Sequence, residues 1–274
     1  MDWNYHGGLL TVSPDGPFDP AKTLFCGQCF RWQAEPDGSF SGIVRNRKVR
    51  IRTLQDGVQL WGFPEEEAPF YLHYFALDED YCAIQKRLRR SRRLAAAIDR
   101  APGIRVLHQD FFEVLESFII SQNNNIPRIR GIIERLCTGL GKPLGEGGYA
   151  FPTPEALAPL QKEDLAFLRA GWRADYLLDA ARRVAGGRLD PCLLSGMPTD
   201  EARTALMETR GVGPKVADCV LLYGLGRSEV CPMDVWMKRA MARLFPRGMP
   251  RCAEKHAGIA QQYLFYAERG EGRF

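Results

Sequence analysis

The sequence predicts an α+β fold, with an N-terminal antiparallel β-sheet domain over residues 1–95 and a mainly α-helical body over residues 96–274. Three observations predict it. Across roughly the first 90 residues, short β-branched and aromatic runs alternate with Pro-Asp-Gly and Asp-Gly turn signals at hairpin spacing. Beyond residue 80 the apolar period lengthens to that of an amphipathic helix. The chain has 274 residues, 45% hydrophobic and 26% charged, which suits a sizeable core and excludes global disorder.

The expected strands are Leu24–Trp32, Ser39–Arg45, Lys48–Thr53 and Val58–Trp61, with turns at Pro36-Asp37-Gly38 and Asp56-Gly57. Asp80–Ala97 reads as a basic, alanine-rich helix. In Asp110–Ser121 the residues Phe111, Val114, Leu115, Phe118 and Ile119 share one helical face, as Ile126, Ile129, Ile133, Leu136 and Leu140 do in Ile126–Leu140. Gly139 and Gly141 suit a helix stop, and Gly141–Gly148 reads as a connector. Thr153-Pro154-Glu155 opens a further helix. Helices follow at about 161–169, 173–186, 200–209, 214–225, 234–244 and 252–269, with a helix-hairpin-helix at about 201–225.

No apolar run approaches the ~18 residues of a membrane span, and mean hydropathy is -0.26. Met1–Leu10 lacks a basic start and an apolar stretch, so no signal peptide is expected and the chain is placed inside the cell, in the cytoplasm with the nucleoid or in a nucleus. The net charge of +4 is mild, but the basic residues are bunched. Eight Lys/Arg stand against Asp99 alone between Lys86 and Arg105, and nine stand against four acids between Arg203 and Arg251. A charge run is commonly only a solvated face; two of them make nucleic acid a candidate partner. The eight cysteines are scattered. Cys26-Gly-Gln-Cys29 is the only C-x-x-C, and no second pair completes a zinc site, so reduced thiols, no metal and no cofactor are expected.

The chemistry concentrates between Ala205 and Arg243. Gly211-Val212-Gly213 joins two helical stretches, and backbone N–H groups there, with those opening the next helix, suit a phosphate. A tight turn between helices explains a lone Gly-x-Gly equally well. Lys215 lies in the first turn of the following helix, and Cys219, four residues on, projects from the same face. Asp234 follows Pro232-Met233 at the mouth of another helix. By residue type alone, Lys215 reads as a nucleophile or as a phosphate contact, and Asp234 as a catalytic carboxylate or an ordinary N-cap.

This stretch resembles the helix-hairpin-helix, Gly/Pro-rich loop and aspartate signature of the DNA glycosylase superfamily. Lys215-x-x-x-Cys219 and Pro232-x-Asp234-Val235 resemble its 8-oxoguanine DNA glycosylase/AP lyase branch. Further matches in family order are Gly27-Gln28-Cys29-Phe30-Arg31-Trp32, then Ser121-Gln122-Asn123-Asn124-Asn125-Ile126-Pro127-Arg128-Ile129, then Ala257-Gly258-Ile259-Ala260-Gln261 with Phe265. The resemblance implies a bifunctional repair enzyme that flips 8-oxoguanine out of duplex DNA, preferably opposite cytosine. Lys215 would attack the sugar C1′, and the resulting Schiff base would cut the strand by β-elimination. The lysine must be neutral to attack, which a helix N-terminus and an apolar pocket favour. Asp234 would stabilise positive charge on the sugar and assist proton transfer.

Flipping costs a few kcal/mol and leaves a gap. Trp172 matches the family's aromatic wedge, Asn123 the residue entering the vacated space, and Arg128 and Arg173 the pair gripping the widowed cytosine. A core aromatic and a polar helix end are the plain readings of Trp172 and of the three asparagines. 8-Oxoguanine carries a proton on N7 that guanine lacks, so a reader needs an acceptor there. The resemblance offers the Gly27 carbonyl, which guanine would leave unpaired at a penalty of order 1–3 kcal/mol. Cys219 and Phe265 would sandwich the ring and Gln261 would meet its pairing edge, although Phe265 equally suits a helical core. A charged Lys215 beside a Cys219 thiolate would give a dipole that tells 8-oxoguanine from guanine. The backbone of Gly211, Val212 and Gly213 would hold DNA phosphate.

Two departures from the family pattern stand out. Trp236 stands where a phosphate-binding histidine is expected, and the chain stops at Phe274 soon after the Gln261 helix. Only Cys252 follows Asp234, so the four-cysteine iron–sulfur cluster of the endonuclease III relatives is not expected. The expected partner is double-stranded DNA carrying 8-oxoguanine, bound by a monomer away from any membrane. The competing readings are a monofunctional alkyl-base glycosylase, in which Asp234 activates water, and a non-catalytic helix-hairpin-helix DNA-binding module.

Overall fold

The computed structural model describes residues 1–145 and 147–269. The chain end at Phe274 and residue 146 of the Gly-rich connector lie outside the described residues. Six strands form one sheet: β1 (Asp2–His6), β2 (Leu9–Ser13), β3 (Trp32–Ala34), β4 (Phe40–Val44), β5 (Arg47–Leu54) and β6 (Gly57–Trp61), in spatial order β1-β2-β6-β5-β4-β3. The α-helices are α1 (Pro20–Leu24), α2 (Ala68–Tyr74), α3 (Tyr81–Leu88), α4 (Arg92–Arg100), α5 (Phe111–Ser121), α6 (Ile126–Leu140), α7 (Pro154–Leu157), α8 (Arg173–Ala185), α9 (Pro191–Gly196), α10 (Thr199–Met207), α11 (Pro214–Cys219), α12 (Val235–Leu244) and α13 (Ala257–Arg269). The α+β class follows directly. No described helix is long and apolar enough to cross a membrane.

Two compact units divide the chain. The first holds residues 1–42, 49–108 and 228–274; the second holds 43–48 and 109–227. The division therefore interleaves along the chain, where the sequence suggested one cut near residue 95.

In the first unit the sheet buries alternate residues. Leu10 and Val12 of β2, Val49 and Ile51 of β5, and Val58 and Leu60 of β6 are all sealed from solvent, as a two-residue period requires. The pairs β1–β2, β2–β6, β3–β4 and β5–β6 are antiparallel, with Leu10 facing Leu60 and Ile51 facing Leu60 from the other side. In the same unit Arg105 is fully buried, with no carboxylate in hydrogen-bond contact among the described residues. Its guanidinium donates to the carbonyls of Asp15, Gly16, Pro17, Ala76 and Glu79 and lies 4.4 Å from the Tyr81 ring centroid. Carbonyl dipoles and a π-face thus replace water around the charge.

In the second unit α5 is the central helix. From Phe111 to Ile120 every residue but Glu113 is buried, as expected of a helix packed on all sides. Asp110 starts it by accepting from the Glu113 N–H at 3.0 Å, and Asn125 starts α6 by accepting from Arg128 N at 3.0 Å.

Several elements differ from the sequence expectation, each for a physical reason. Leu24–Trp32 is not a strand. Asp19 caps α1 through the Lys22 N–H at 3.0 Å, and Gly27, at φ +86°, bends the chain before β3 begins. The β1–β2 hairpin around Gly7-Gly8 was unexpected, as was α2. Asp80–Ala97 breaks into α3 and α4, each with its own cap position at Asp80 and Ser91. The stretches Glu163–Leu168 and Arg251–His256 are 3-10 turns, and the helix expected over 214–225 changes pitch at Val220 into a π-helical Val220–Gly224.

Candidate active site and DNA-contact surfaces

The second unit carries the helix-hairpin-helix. The α10 helix leads through Thr209–Gly213 into α11. Gly211 has φ +79°, and a Cβ there would meet Cδ2 of Tyr176 at 2.0 Å, so both backbone and packing require glycine. Gly213 is the N-cap residue, with no side chain to cap and open space around its Cα. The first intrahelical bond runs from Ala217 N to Gly213 O at 3.0 Å, so the amides of Lys215 and Val216 open the helix without an intrahelical acceptor. The Val212 amide is spent inside the hairpin, on Thr209 O at 3.0 Å. Of the three hairpin residues, Gly211 and Gly213 hold the glycine positions, and Val212 is buried.

Lys215 is half-buried at the second position of α11. Its Nζ lies 4.6 Å from the centroid of Phe118, whose ring stacks on Tyr223 at 5.5 Å and 12°. Cys219 stands one turn along the same helix and is 2% exposed. The amine is therefore held in place by the central helix, on an aromatic face, with the thiol on its own side of α11.

The turn between α5 and α6 presents Asn123, exposed and at φ +50°. Asn124 Nδ2 donates back to Ile120 O at 3.0 Å. Arg173, only 3% exposed, donates Nε to Gln122 O at 3.1 Å, and its Nη2 donates to Gln122 O and, at 3.1 Å, to Asn123 O. Burial, and then the charge of Arg128, hold its proton affinity below the usual arginine value. Arg173 thus fixes the backbone of the asparagine turn, whereas Arg128 is exposed on the first turn of α6. Trp172 is 46% exposed at the N-cap position of α8. The Arg173 guanidinium sits 4.3 Å from its ring, and Tyr176 meets it edge-on at 5.2 Å. A large aromatic left in solvent at that position is not core.

The first unit carries a different group. The loop around Gly27 is pinned on both flanks. Gln28, 1% exposed, donates to Thr23 O at 2.9 Å and Arg105 O at 2.8 Å and accepts from Leu107 N at 2.9 Å. Gln262 of α13 donates to Cys26 O at 3.2 Å and contacts Cys26 Sγ at 2.8 Å. Burial pushes the Cys26 thiol up to about 11, so it remains a neutral thiol. A Cβ on Gly27 would lie 3.9 Å from Cε1 of Phe265, which places the glycine against α13. Gln261 is one turn before Phe265 on the same face, is 5% exposed, and leaves Oε1 buried without a hydrogen-bond partner among the described residues. Gly27, Gln261 and Phe265, 238 residues apart along the chain at the extremes, are thereby one cluster containing an unsatisfied acceptor.

Asp234 is the N-cap of α12, its Oδ1 accepting from Met237 N at 2.7 Å. The cap holds the carboxylate in one orientation at the helix mouth. Val235 and Trp236 follow it as exposed side chains, with Arg239 5.8 Å from the Trp236 ring centroid. Sequence reasoning missed Phe118 and Tyr176 as supports. Tyr176 had a signal, an aromatic one helical turn after Trp172.

Comparison with known proteins decides the family. A family model described as the 8-oxoguanine DNA glycosylase N-terminal domain matches residues 11–115, and one described as the HhH-GPD superfamily of base excision DNA repair proteins matches residues 117–256. This chain belongs to the 8-oxoguanine DNA glycosylase family. The glycosylase is 31% identical to a probable N-glycosylase/DNA lyase of Methanothermobacter thermautotrophicus over 94% of its own length and 96% of the relative's. Its fold is similar to that of MBOgg1, solved with a low-affinity DNA ligand, at a TM-score of 0.91 and 38% identity, covering 98% of this chain and 99% of that one. It is also similar to the Clostridium acetobutylicum 8-oxoguanine glycosylase/lyase, solved with double-stranded DNA containing cytosine opposite 8-oxoguanine (TM-score 0.89, 34% identity, 98% and 99% covered).

Proposed function

We propose that Lys215 is the nucleophile and Asp234 the charge-stabilising carboxylate of this repair enzyme. The enzyme itself is a DNA N-glycosylase with lyase activity that acts on 8-oxoguanine in duplex DNA. The flipped nucleoside presents C1′ to the Lys215 amine. Attack forms the C–N bond as the glycosidic bond breaks, and the departing base takes up a proton. Positive charge that develops on the sugar is stabilised by Asp234. The ring-opened Schiff base then loses a proton from C2′, and β-elimination expels the 3′-phosphate. Gly27 O accepts the N7 proton of 8-oxoguanine, Gln261 meets the pairing edge, and Cys219 and Phe265 cover the two faces. Trp172 wedges the gap with Asn123. Arg128 reads the widowed cytosine, and Arg173 supports that reading through the Gln122–Asn123 carbonyls. Phosphate contact falls to the N–H groups of Gly213 and the start of α11. The enzyme works as a monomer wherever the cell keeps its chromosome.

The observation that carries this reading is the amine of Lys215 anchored over Phe118 in the first turn after the Gly-Val-Gly hairpin, one turn before Cys219. Borohydride trapping on 8-oxoguanine duplexes tests it. The wild-type chain should form a covalent protein–DNA adduct, and Lys215→Gln should form none while retaining duplex binding. Base release without any adduct in the wild type would indicate water as the nucleophile and remove Lys215 from that role.

A further inference from the structure

Three parts of the second unit that face DNA in the proposed reading are tied to one helix. Trp172 begins α8 and is 46% exposed. Arg173 follows it and holds the Asn123 turn through backbone carbonyls. One turn later Tyr176 places its ring edge-on to Trp172 at 5.2 Å and 65°. The same ring lies against the backbone of Gly211, where a Cβ would come within 2.0 Å of Cδ2, 2.4 Å of Cε2 and 2.6 Å of Cγ. Asp179, three residues further along the same face, accepts from the Arg210 amide at 2.8 Å and from Arg183 Nε at 3.0 Å. So α8 grips the hairpin at two successive residues, Arg210 and Gly211, and Tyr176 spans from the hairpin to the exposed tryptophan.

This contact has a mechanical meaning. A side chain driven between stacked bases is pushed back by their stacking energy. An exposed tryptophan with two rotatable bonds yields to that push unless something stands behind it. Arg173 lies over its ring at 4.3 Å, and its guanidinium is already committed to carbonyls. Tyr176 is the half-buried member, backed by a backbone that cannot retreat without distorting the Gly211 turn.

We propose that Tyr176 is a positioning residue that braces Trp172 against the helix-hairpin-helix, so that phosphate grip by the hairpin and insertion of the wedge act as one unit. The proposal rests on the reading of Trp172 as the wedge. The ring supplies the contact, and its hydroxyl is not needed.

A double-mutant cycle in single-turnover excision tests it, with Trp172→Ala, Tyr176→Leu, the double variant and Tyr176→Phe. Tyr176→Leu should slow release of 8-oxoguanine opposite cytosine about tenfold, the upper range for one aromatic contact. Tyr176→Phe should restore the rate to within about twofold, and Tyr176→Leu should add less than about twofold once Trp172 is alanine. Strand cutting at a preformed abasic site, which needs little unstacking, should change less than about threefold. Fully additive losses, equal loss on both substrates, or a Tyr176→Phe variant as slow as Tyr176→Leu would each overturn the brace. A wild-type rate for Tyr176→Leu while Trp172→Ala is slow sinks the brace alone; a wild-type rate for Trp172→Ala sinks the wedge reading and the brace together. Should Tyr176→Leu melt early, Tyr176→Met fills similar volume with a flexible chain and carries the same test.

Discussion

Asp234 is an N-cap that the proposed reading also makes a catalytic carboxylate. Its Oδ1 caps α12 through Met237 N, and the same geometry fixes the carboxylate assigned to the sugar. Asparagine caps a helix about as well as aspartate. Asp234→Asn should therefore leave the melting temperature nearly unchanged, a loss under about 0.5 kcal/mol. Excision should nevertheless fall by about 100-fold or more, since a charge-stabilising or proton-moving carboxylate commonly supplies that much. Thermal melts and single-turnover rates on the same preparation separate the two roles; proportionate loss in both would make Asp234 a cap only. Gln261 poses a related question at the same scale. Its buried Oε1 has no partner among the described residues, a state that costs stability and suits an acceptor kept for a ligand.

At the scale of an element, the hairpin between α10 and α11 is the most constrained piece of backbone. Gly211 is required by its φ of +79° and by the Tyr176 ring. Gly211→Ala should cost about 2 kcal/mol or more, combining left-handed strain with displacement of the ring. It should weaken duplex binding at fixed salt, measurable by anisotropy titration, while the fold of the first unit survives. Unchanged binding would show that the hairpin holds no phosphate. The π-helical Val220–Gly224 continues α11 with a wider turn, against α5, whose Phe118 ring holds the Lys215 amine. The sequence expectation of a regular helix there missed this, because apolar periodicity reports which face is buried and not which hydrogen bond closes each turn.

For the molecule as a whole, Glu116 has the widest consequence. It is fully buried in α5, and neither carboxyl oxygen has a hydrogen-bond partner among the described residues. Desolvation alone raises its pKa well above the usual glutamate value, so burial favours its protonated form. Below the ordinary glutamate range of about 4.3 both folded and unfolded chains are protonated there and the group brings no penalty. As pH rises through and beyond that range the unfolded chain ionises first, so the stability associated with this proton declines until the folded value is passed. Glu116→Met should flatten that slope and raise stability near neutrality by about 1–3 kcal/mol, read from urea melts across pH. A steeper slope, or a destabilised variant, would mean that the carboxyl has a partner in solution.

The sequence by itself determined the family and the class of reaction. Lys215 and Cys219 share a face because four residues make a helical turn, and Asp110, Asn125 and Asp234 start helices through bonds to amides three residues ahead. Such features lie within a few residues and can be read off the chain. The β1–β2 hairpin was legible in principle, in the alternation of Leu10 and Val12 after Gly7-Gly8. Only the tertiary structure decided that Arg173 turns inward to carbonyls about 50 residues away, that Gln28 anchors the Gly27 loop to Leu107, and that Tyr176 backs Trp172 against Gly211. Those contacts join residues far apart in sequence. Their partners are selected by packing in three dimensions, for which local periodicity and spacing carry no signal.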